Sequence, residues 1–306
     1  MHSWAPGRHS WDRALTTAGI RDPRLRDAYT RQRAVVAGYR RHAYLAVRLL
    51  LPPALVPHVI AATAFMHHTD GLLDRGPDVG EAWPAWEAEV RAGLAGTDSG
   101  HPVLGPLLHS VAAHPQLRGH VTDFLAGAPL ERDTTGFATE ADYQEYVDAY
   151  ALPAFMMIAG LLLAPEADAD ASREVCRRYI DGSQRLDFVN DLAEDLRDGR
   201  LGLPEETLAR YGVTRAGLER GRCAPGLRAL LRDQLGQARR DLLGARRLVA
   251  FAPPGHRAFT RAVIALETLT AGAALAAGTA VLRRPVRPPL PGALAVLVRE
   301  YRRRGR

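Results

Sequence analysis

The chain has 306 residues, 47% of them apolar, and carries a formal charge of +6 with only two cysteines, Cys176 and Cys223. So large an apolar share excludes a disordered chain. Two cysteines in no metal-ligand spacing exclude a disulfide framework and point to a reducing compartment. All 40 basic residues are arginine, which suits planar contact with phosphate and equally follows from a GC-rich coding sequence.

The opening MHSWAPGRHSWDRAL lacks the basic start and apolar run of a secretory signal, so the expected location is the cytoplasm. Apolar residues then recur at helical spacing almost throughout, with no alternating run long enough for a sheet, and the sequence predicts an all-α single domain. Breakers separate its helices: LLPP at 50–53, DRGPDVG at 74–80, TDSGHP at 97–102, LAGAP at 125–129, LAPEADAD at 163–170, GLPEE at 202–206, GRCAPG at 221–226, APPGH at 252–256 and RRPVRPPLPG at 283–292.

The first informative helix is predicted over 56–73, where FMHHTDGLLDRG sets Asp70 and Asp74 four apart at the end of an apolar run. Thr139, followed by Glu140 and Asp142, predicts a helix start by N-capping. ALPAFMMIAGLLLAP is too short to span a bilayer, and AVIALETLTAGAALAAGTAVL carries Glu267; both read as core helices. RLDFVNDLAEDLRDGR, at 185–200, aligns Asp187, Asp191, Asp195 and Asp198 along one helix face, opposite Leu186, Val189, Leu192 and Leu196. Like charges at that spacing destabilise a helix unless a cation joins them. One such pair in a charged helix is ordinarily a solvated face. Two pairs inside apolar helices are suited to facing each other across a bundle around Mg²⁺, a hard cation held by carboxylates together with substrate phosphates.

QRLDFVNDLAEDLRDGRLGLPEETLARYGV, at 184–213, resembles the second aspartate-rich signature of squalene and phytoene synthases. YLAVRLLLPPALVPHVIAATAFMHHTDGLLDRGP, at 44–77, resembles their first region, FLAGAPLERDTTGFATEADYQEYV, at 124–147, their middle region, and AVLRRPVRP, at 280–288, their closing segment. The resemblance implies an isoprenoid synthase helical bundle around a central apolar cavity, covering 30–290, with 1–29 as an N-terminal extension and 291–306 as a basic tail. It implies Asp70, Asp74, Asp191 and Asp195 as ligands of a Mg²⁺ cluster, with Gln184 beside them; Arg40, Arg41 and Arg200 are candidate diphosphate partners, with plain surface charge as the alternative. The substrate it implies is an allylic prenyl diphosphate of C15 to C25.

Several positions depart from that family pattern. His67 and Asn190 stand where it has arginines that grip diphosphate, Asp148 and Glu267 where it has tyrosines, and Leu152 and Phe155 within its small-residue run. Losing bidentate arginine matters most to an enzyme holding two diphosphates, and bulky residues narrow a channel for a second chain. The expectation is therefore a single-substrate class I terpene synthase that ionises and cyclises one prenyl diphosphate, with Asp148 and Glu267 as candidate catalytic groups and His67, Asn190 and Phe155 as substrate contacts. The alternative is head-to-head coupling of two prenyl diphosphates to a squalene- or phytoene-type product. No NADPH-binding sequence is visible, so no reduction is expected. The tail VREYRRRGR reads as a frayed solvated end with at most peripheral membrane contact. Neither zinc spacing nor a recognition helix accompanies it, so no nucleic-acid partner is expected.

Overall fold

A computed structural model describes residues 8–39, 41–73, 79–220 and 225–304. Among them the chain forms α1 (Arg8–Thr17), α2 (Pro23–Tyr39), α3 (Arg41–Leu50), α4 (Val56–Leu73), α5 (Val79–Leu94), α6 (Leu104–Ala113), α7 (Leu117–Asp133), α8 (Glu140–Tyr146), α9 (Leu152–Leu162), α10 (Ala169–Asn190), α11 (Leu192–Arg197), α12 (Glu205–Arg210), α13 (Arg215–Glu219), α14 (Leu227–Gly244), α15 (Leu248–Phe251), α16 (Arg257–Ala277) and α17 (Leu290–Arg303). No strand forms among the described residues; a lone bridge joins Gly136 to Leu201.

Two apolar cores divide the bundle. One gathers α1 to α7 with the far side of α9, and the other gathers α9, α10, α14 and α16. Ile180 of α10 and Val263 of α16 pack against both cores, and both line the cavity that lies along the seam. Among the described residues, the two runs long and apolar enough to cross a membrane by composition, Glu140–Leu162 and Arg257–Leu282, contribute walls of that cavity.

Two helix-end expectations change. LAGAP does not end a helix, because α7 runs through Pro129 to Asp133. Gly127 explains its placement: a Cβ there would meet the Ala149 carbonyl oxygen at 2.0 Å, so only glycine lets α7 lie this close to the following helix. Within the segment expected as an N-terminal extension, Trp11, Leu15, Ile20 and Tyr29 are buried in the first core. As far as Arg303 the tail is helical rather than frayed. Ala293 and Val296 are buried on one side of α17, and on that side Glu300 accepts from Arg261 Nε at 2.6 Å and Arg299 Nε at 2.9 Å.

The N-cap prediction at Thr139 holds in full. Its hydroxyl accepts from Asp142 N at 3.2 Å while Asp142 Oδ2 accepts from Thr139 N at 2.8 Å. That box starts α8, which runs straight into a π-helical segment, Val147–Ala151, before α9. The extra residue per turn rotates the side chains entering α9, and such segments recur at functional sites.

Candidate active site

The seam cavity has a volume of about 380 Å³, within the range of small-molecule sites. Its floor is apolar: Val59 and Met66 from α4, Ala154 and Ile158 from α9, Phe259 and Ile264 from α16. Its polar lining includes His67, Asp70, Gln184, Asp187 and Glu267. Asp70 stands in the last turn of α4 and Asp187 in the last turn of α10. Helix C-termini carry partial negative charge, so carboxylates placed there destabilise the protein until a cation arrives.

Tyr150 organises the first of these acids. The π-segment turns its side chain into the cavity, where its hydroxyl donates to Asp70 Oδ1 at 2.6 Å while its ring packs on Phe124, 5.5 Å between centroids. Burial, followed by the charge of Asp70, holds the phenol well above its usual range, so it stays a donor.

The second acidic stretch is not one continuous helix. α10 ends at Asn190 and Asp191 occupies a break, at φ −99° and ψ 2°, before α11. The hydrogen bonds still step by four across it, from Asp191 N to Asp187 O (2.8 Å) and from Asp195 N to Asp191 O (2.9 Å), so the three aspartates remain stacked. α11 closes with Gly199 at φ +74°, its N–H donating to Leu196 O and Arg200 N–H donating to Asp195 O. This is a Schellman closure, and the glycine conformation it requires explains the Gly-Arg pair in the sequence. Arg200 thereby turns back onto the acids, with its Nη2 on Glu131 Oε1 at 2.6 Å, and Tyr146 donates to the other oxygen of Glu131 at 2.6 Å.

Asp195 is half-buried, and its carboxyl is pushed up to about 6 by burial first and by Asp191 second, with Arg200 opposing. Crowded hard oxygen donors, with Asp195 among them made harder to ionise by burial and by its neighbours, are the donor set a Mg²⁺ ion would complete. Among the described residues, no group of three or more His, Cys, Asp or Glu converges on one metal position by itself. Mg²⁺ commonly takes one or two carboxylates and fills its remaining positions with water and substrate phosphate, so Asp70, Asp187 and Asp191 fit it in that mode.

The other expected residues separate. His67, Gln184, Phe155 and Glu267 line the cavity with Asp70, Phe155 lying 4.8 Å from the Tyr179 ring. Asp191 and Asp195 follow Asp187 along the chain, and Asp195 opens with Arg200 into a smaller crevice beside Phe188. Asp74, Arg40 and the Arg41 side chain lie outside the described residues. Asp148 does not reach the cavity: it is exposed and pairs with Arg177 Nε at 2.6 Å, because the π-segment turns it outward. The Asn190 amide is engaged away from the cavity. Its Nδ2 donates to Val286 O at 3.0 Å and its Oδ1 accepts from Val286 N at 2.6 Å, clamping the segment before α17. Leu152 packs in the second core rather than in the cavity, which keeps Ala151 and Ala154 as small lining residues. Met156 and Met157 are plain core.

Sequence reasoning missed the support behind the site. Arg185, 1% exposed, donates to Asp181 Oδ1 at 2.8 Å and Gln234 Oε1 at 3.1 Å, contacts Glu140, and lies 4.3 Å from the Tyr143 ring centroid. Removing one partner of such a buried pair costs about 3–5 kcal/mol, so it fixes α10 against α8 and α14. An arginine in the otherwise apolar register of Val189 and Leu186 was its only sequence signal.

Comparison with known proteins agrees with this architecture. A family profile described as squalene/phytoene synthase matches residues 36–292. The chain is 26% identical over 229 residues to a 15-cis-phytoene synthase of Synechococcus elongatus, covering 70% of this chain and 73% of that one. It is 26% identical over 255 residues to a phytoene synthase of Arthrospira platensis, covering 78% and 81%. Among solved structures, the squalene synthase HpnC from Alicyclobacillus acidocaldarius superposes with a TM-score of 0.74 at 22% identity, covering 88% of this chain and 99% of that one. A dehydrosqualene synthase in complex with ligand reaches 0.78 at 18% identity, covering 90% and 96%. The chain therefore belongs to the squalene/phytoene synthase family, whose members are prenyl-diphosphate-utilising transferases.

Proposed function

We propose that the enzyme couples two prenyl diphosphates head to head, releasing diphosphate, and that it does so with Mg²⁺ and without reduction by NADPH. This replaces single-substrate cyclisation as the leading reading. The relatives it resembles are named for phytoene and squalene formation, and one of the bulky departures that argued against coupling does not narrow the cavity: Leu152 packs in the second core. The observation that carries the reading is an apolar cavity with small residues, Ala151 of the π-helical segment and Ala154 of α9, on one wall and with Asp70 and Asp187 on its polar lining.

Bound Mg²⁺ would neutralise the departing diphosphate and so favour ionisation at the allylic carbon. Asp70, Asp187, Asp191 and Asp195 are the residues that would hold it. Tyr150 fixes the Asp70 carboxylate in one orientation by its 2.6 Å hydrogen bond. Gln184 presents an amide to the polar lining, where it can donate to phosphate oxygen. The apolar floor excludes water from the cation, while the rings of Phe155 and Tyr179 offer faces that stabilise positive charge.

Cyclisation of a single diphosphate remains the second reading, on the strength of His67 and Asn190 replacing phosphate-gripping arginines. Incubation with farnesyl and geranylgeranyl diphosphates plus Mg²⁺, read by mass spectrometry, separates the two. Coupling gives a hydrocarbon with twice the carbon count of the substrate, and a product with the carbon count of one substrate overturns it. Asp70→Ala should abolish either product.

A further inference from the structure

Helix α17 carries an apolar arc wider than the bundle covers. Ala293, Val296 and Glu300 face inward. Leu290, Leu294, Val298 and Tyr301 recur at i, i+4, i+8 and i+11, one stripe of a helix, and are 74%, 59%, 40% and 57% exposed. Single exposed leucines are ordinary; a continuous stripe of large apolar side chains marks an interaction surface. The stripe does not stand alone. α3 packs against α17, and Arg304 Nη1 donates to Leu49 O at 2.6 Å, which sets Leu49, and Leu45 one turn earlier, beside the C-terminal end of α17. Both leucines are exposed.

Charge identifies the occupant. From Gly278 to Arg304 the sequence carries seven arginines and one acid, Glu300, and that acid is buried. Arg283, Arg284, Arg287, Arg302 and Arg303 are exposed, and α3 contains no acid. A second copy meeting this face about a twofold axis would bring arginine against arginine. An anionic bilayer offers the complementary combination, an apolar interior beneath negative headgroups. Position gives the contact a use, because the same α3 that exposes Leu45 and Leu49 lines the cavity with Ala43 and Val47.

We propose that α3 and α17 together form a docking face for an anionic lipid bilayer, so that one wall of the cavity lies against the membrane. The face is argued from geometry and charge; only the nature of what crosses that wall, an apolar prenyl chain, rests on the proposed function. Flotation of the full chain with vesicles of phosphatidylcholine, alone or mixed with phosphatidylglycerol, tests it. Wild type should float with the anionic vesicles, weakly with the neutral ones, and less as salt rises. The exposed-site variant L290S/L294S should lose roughly tenfold or more in partitioning while keeping the wild-type melting temperature, and R284E/R302E should lose the preference for anionic lipid. Absence of flotation, equal partitioning onto neutral vesicles, or a dimer in solution that L290S/L294S dissolves would each overturn the proposal. Product mass measured in lipid-free solution reads the coupling reaction separately, so failure of either proposal leaves the other standing.

Discussion

Tyr150→Phe removes one oxygen and leaves the aromatic packing on Phe124 intact. What it deletes is the 2.6 Å hydrogen bond to Asp70 Oδ1. Hydrogen bonds to charged partners contribute roughly 1.5–3 kcal/mol, which at about 1.4 kcal/mol per decade is a factor of roughly 10–100. Outer contacts that orient a metal-binding group typically weaken metal affinity by the same order when removed. The expected result is therefore a Mg²⁺ activation curve displaced by roughly 10–100-fold, measured as the rate of diphosphate release at saturating substrate, with maximal rate largely restored at high Mg²⁺. The same lost bond should lower the melting temperature by a few degrees. A half-activating Mg²⁺ concentration within about twofold of wild type, in a variant that melts lower, would refute the assignment of Tyr150 as the group that orients Asp70 for a cation.

Two further outcomes concern ionisable groups, one half-buried and one buried. A carboxyl raised to about 6 binds its proton more tightly folded than unfolded, so the metal-free protein should lose stability as pH rises from the ordinary aspartate range through about 6. Asp195→Asn should then melt higher than wild type at pH 7 without Mg²⁺, and lose the stabilisation Mg²⁺ gives wild type; a lower melting point in both conditions would contradict this. The second involves His58, 2% exposed, whose Nδ1 lies 2.9 Å from Ser110 Oγ; its imidazole is pushed down to about 3 by burial and then by His114 and His109. The unfolded chain takes up that proton near 6.5, so stability should fall as pH drops below about 6.5, by up to about 1.4 kcal/mol per pH unit. His58→Gln should flatten that acid limb of the denaturation curve, and an unchanged slope would show that other groups set it.

Much of the fold was legible without coordinates because its signals are local. Apolar spacing gave the helices, Thr139 and Asp142 gave a cap through a reciprocal bond four residues wide, and Pro204 marked a true boundary. The acidic stretches were legible as well, since carboxylates at the ends of apolar helices conflict with both burial and the helix dipole, and the conflict shows in the sequence. Where a local rule failed, a distant contact had overruled it. The break expected at Gly127 and Pro129 vanished because the Ala149 backbone needs that gap.

Side-chain destination was the part no linear pattern could supply. Asp148 and Tyr150 are two residues apart, and counting along a regular helix could not decide which one enters the cavity; the π-helical turn sends Tyr150 in and leaves Asp148 to Arg177. Asn190 reads as a lost phosphate contact until Val286, nearly a hundred residues later, is seen to occupy both ends of its amide. Composition and periodicity determined that this chain is a helical bundle with carboxylates crowded at the ends of apolar helices, because those properties depend on neighbours one turn away. Which acids share a cavity, which residues remain small within it, and which apolar stripe is left facing outward depended on packing between helices far apart in the chain, and only the tertiary structure decided them.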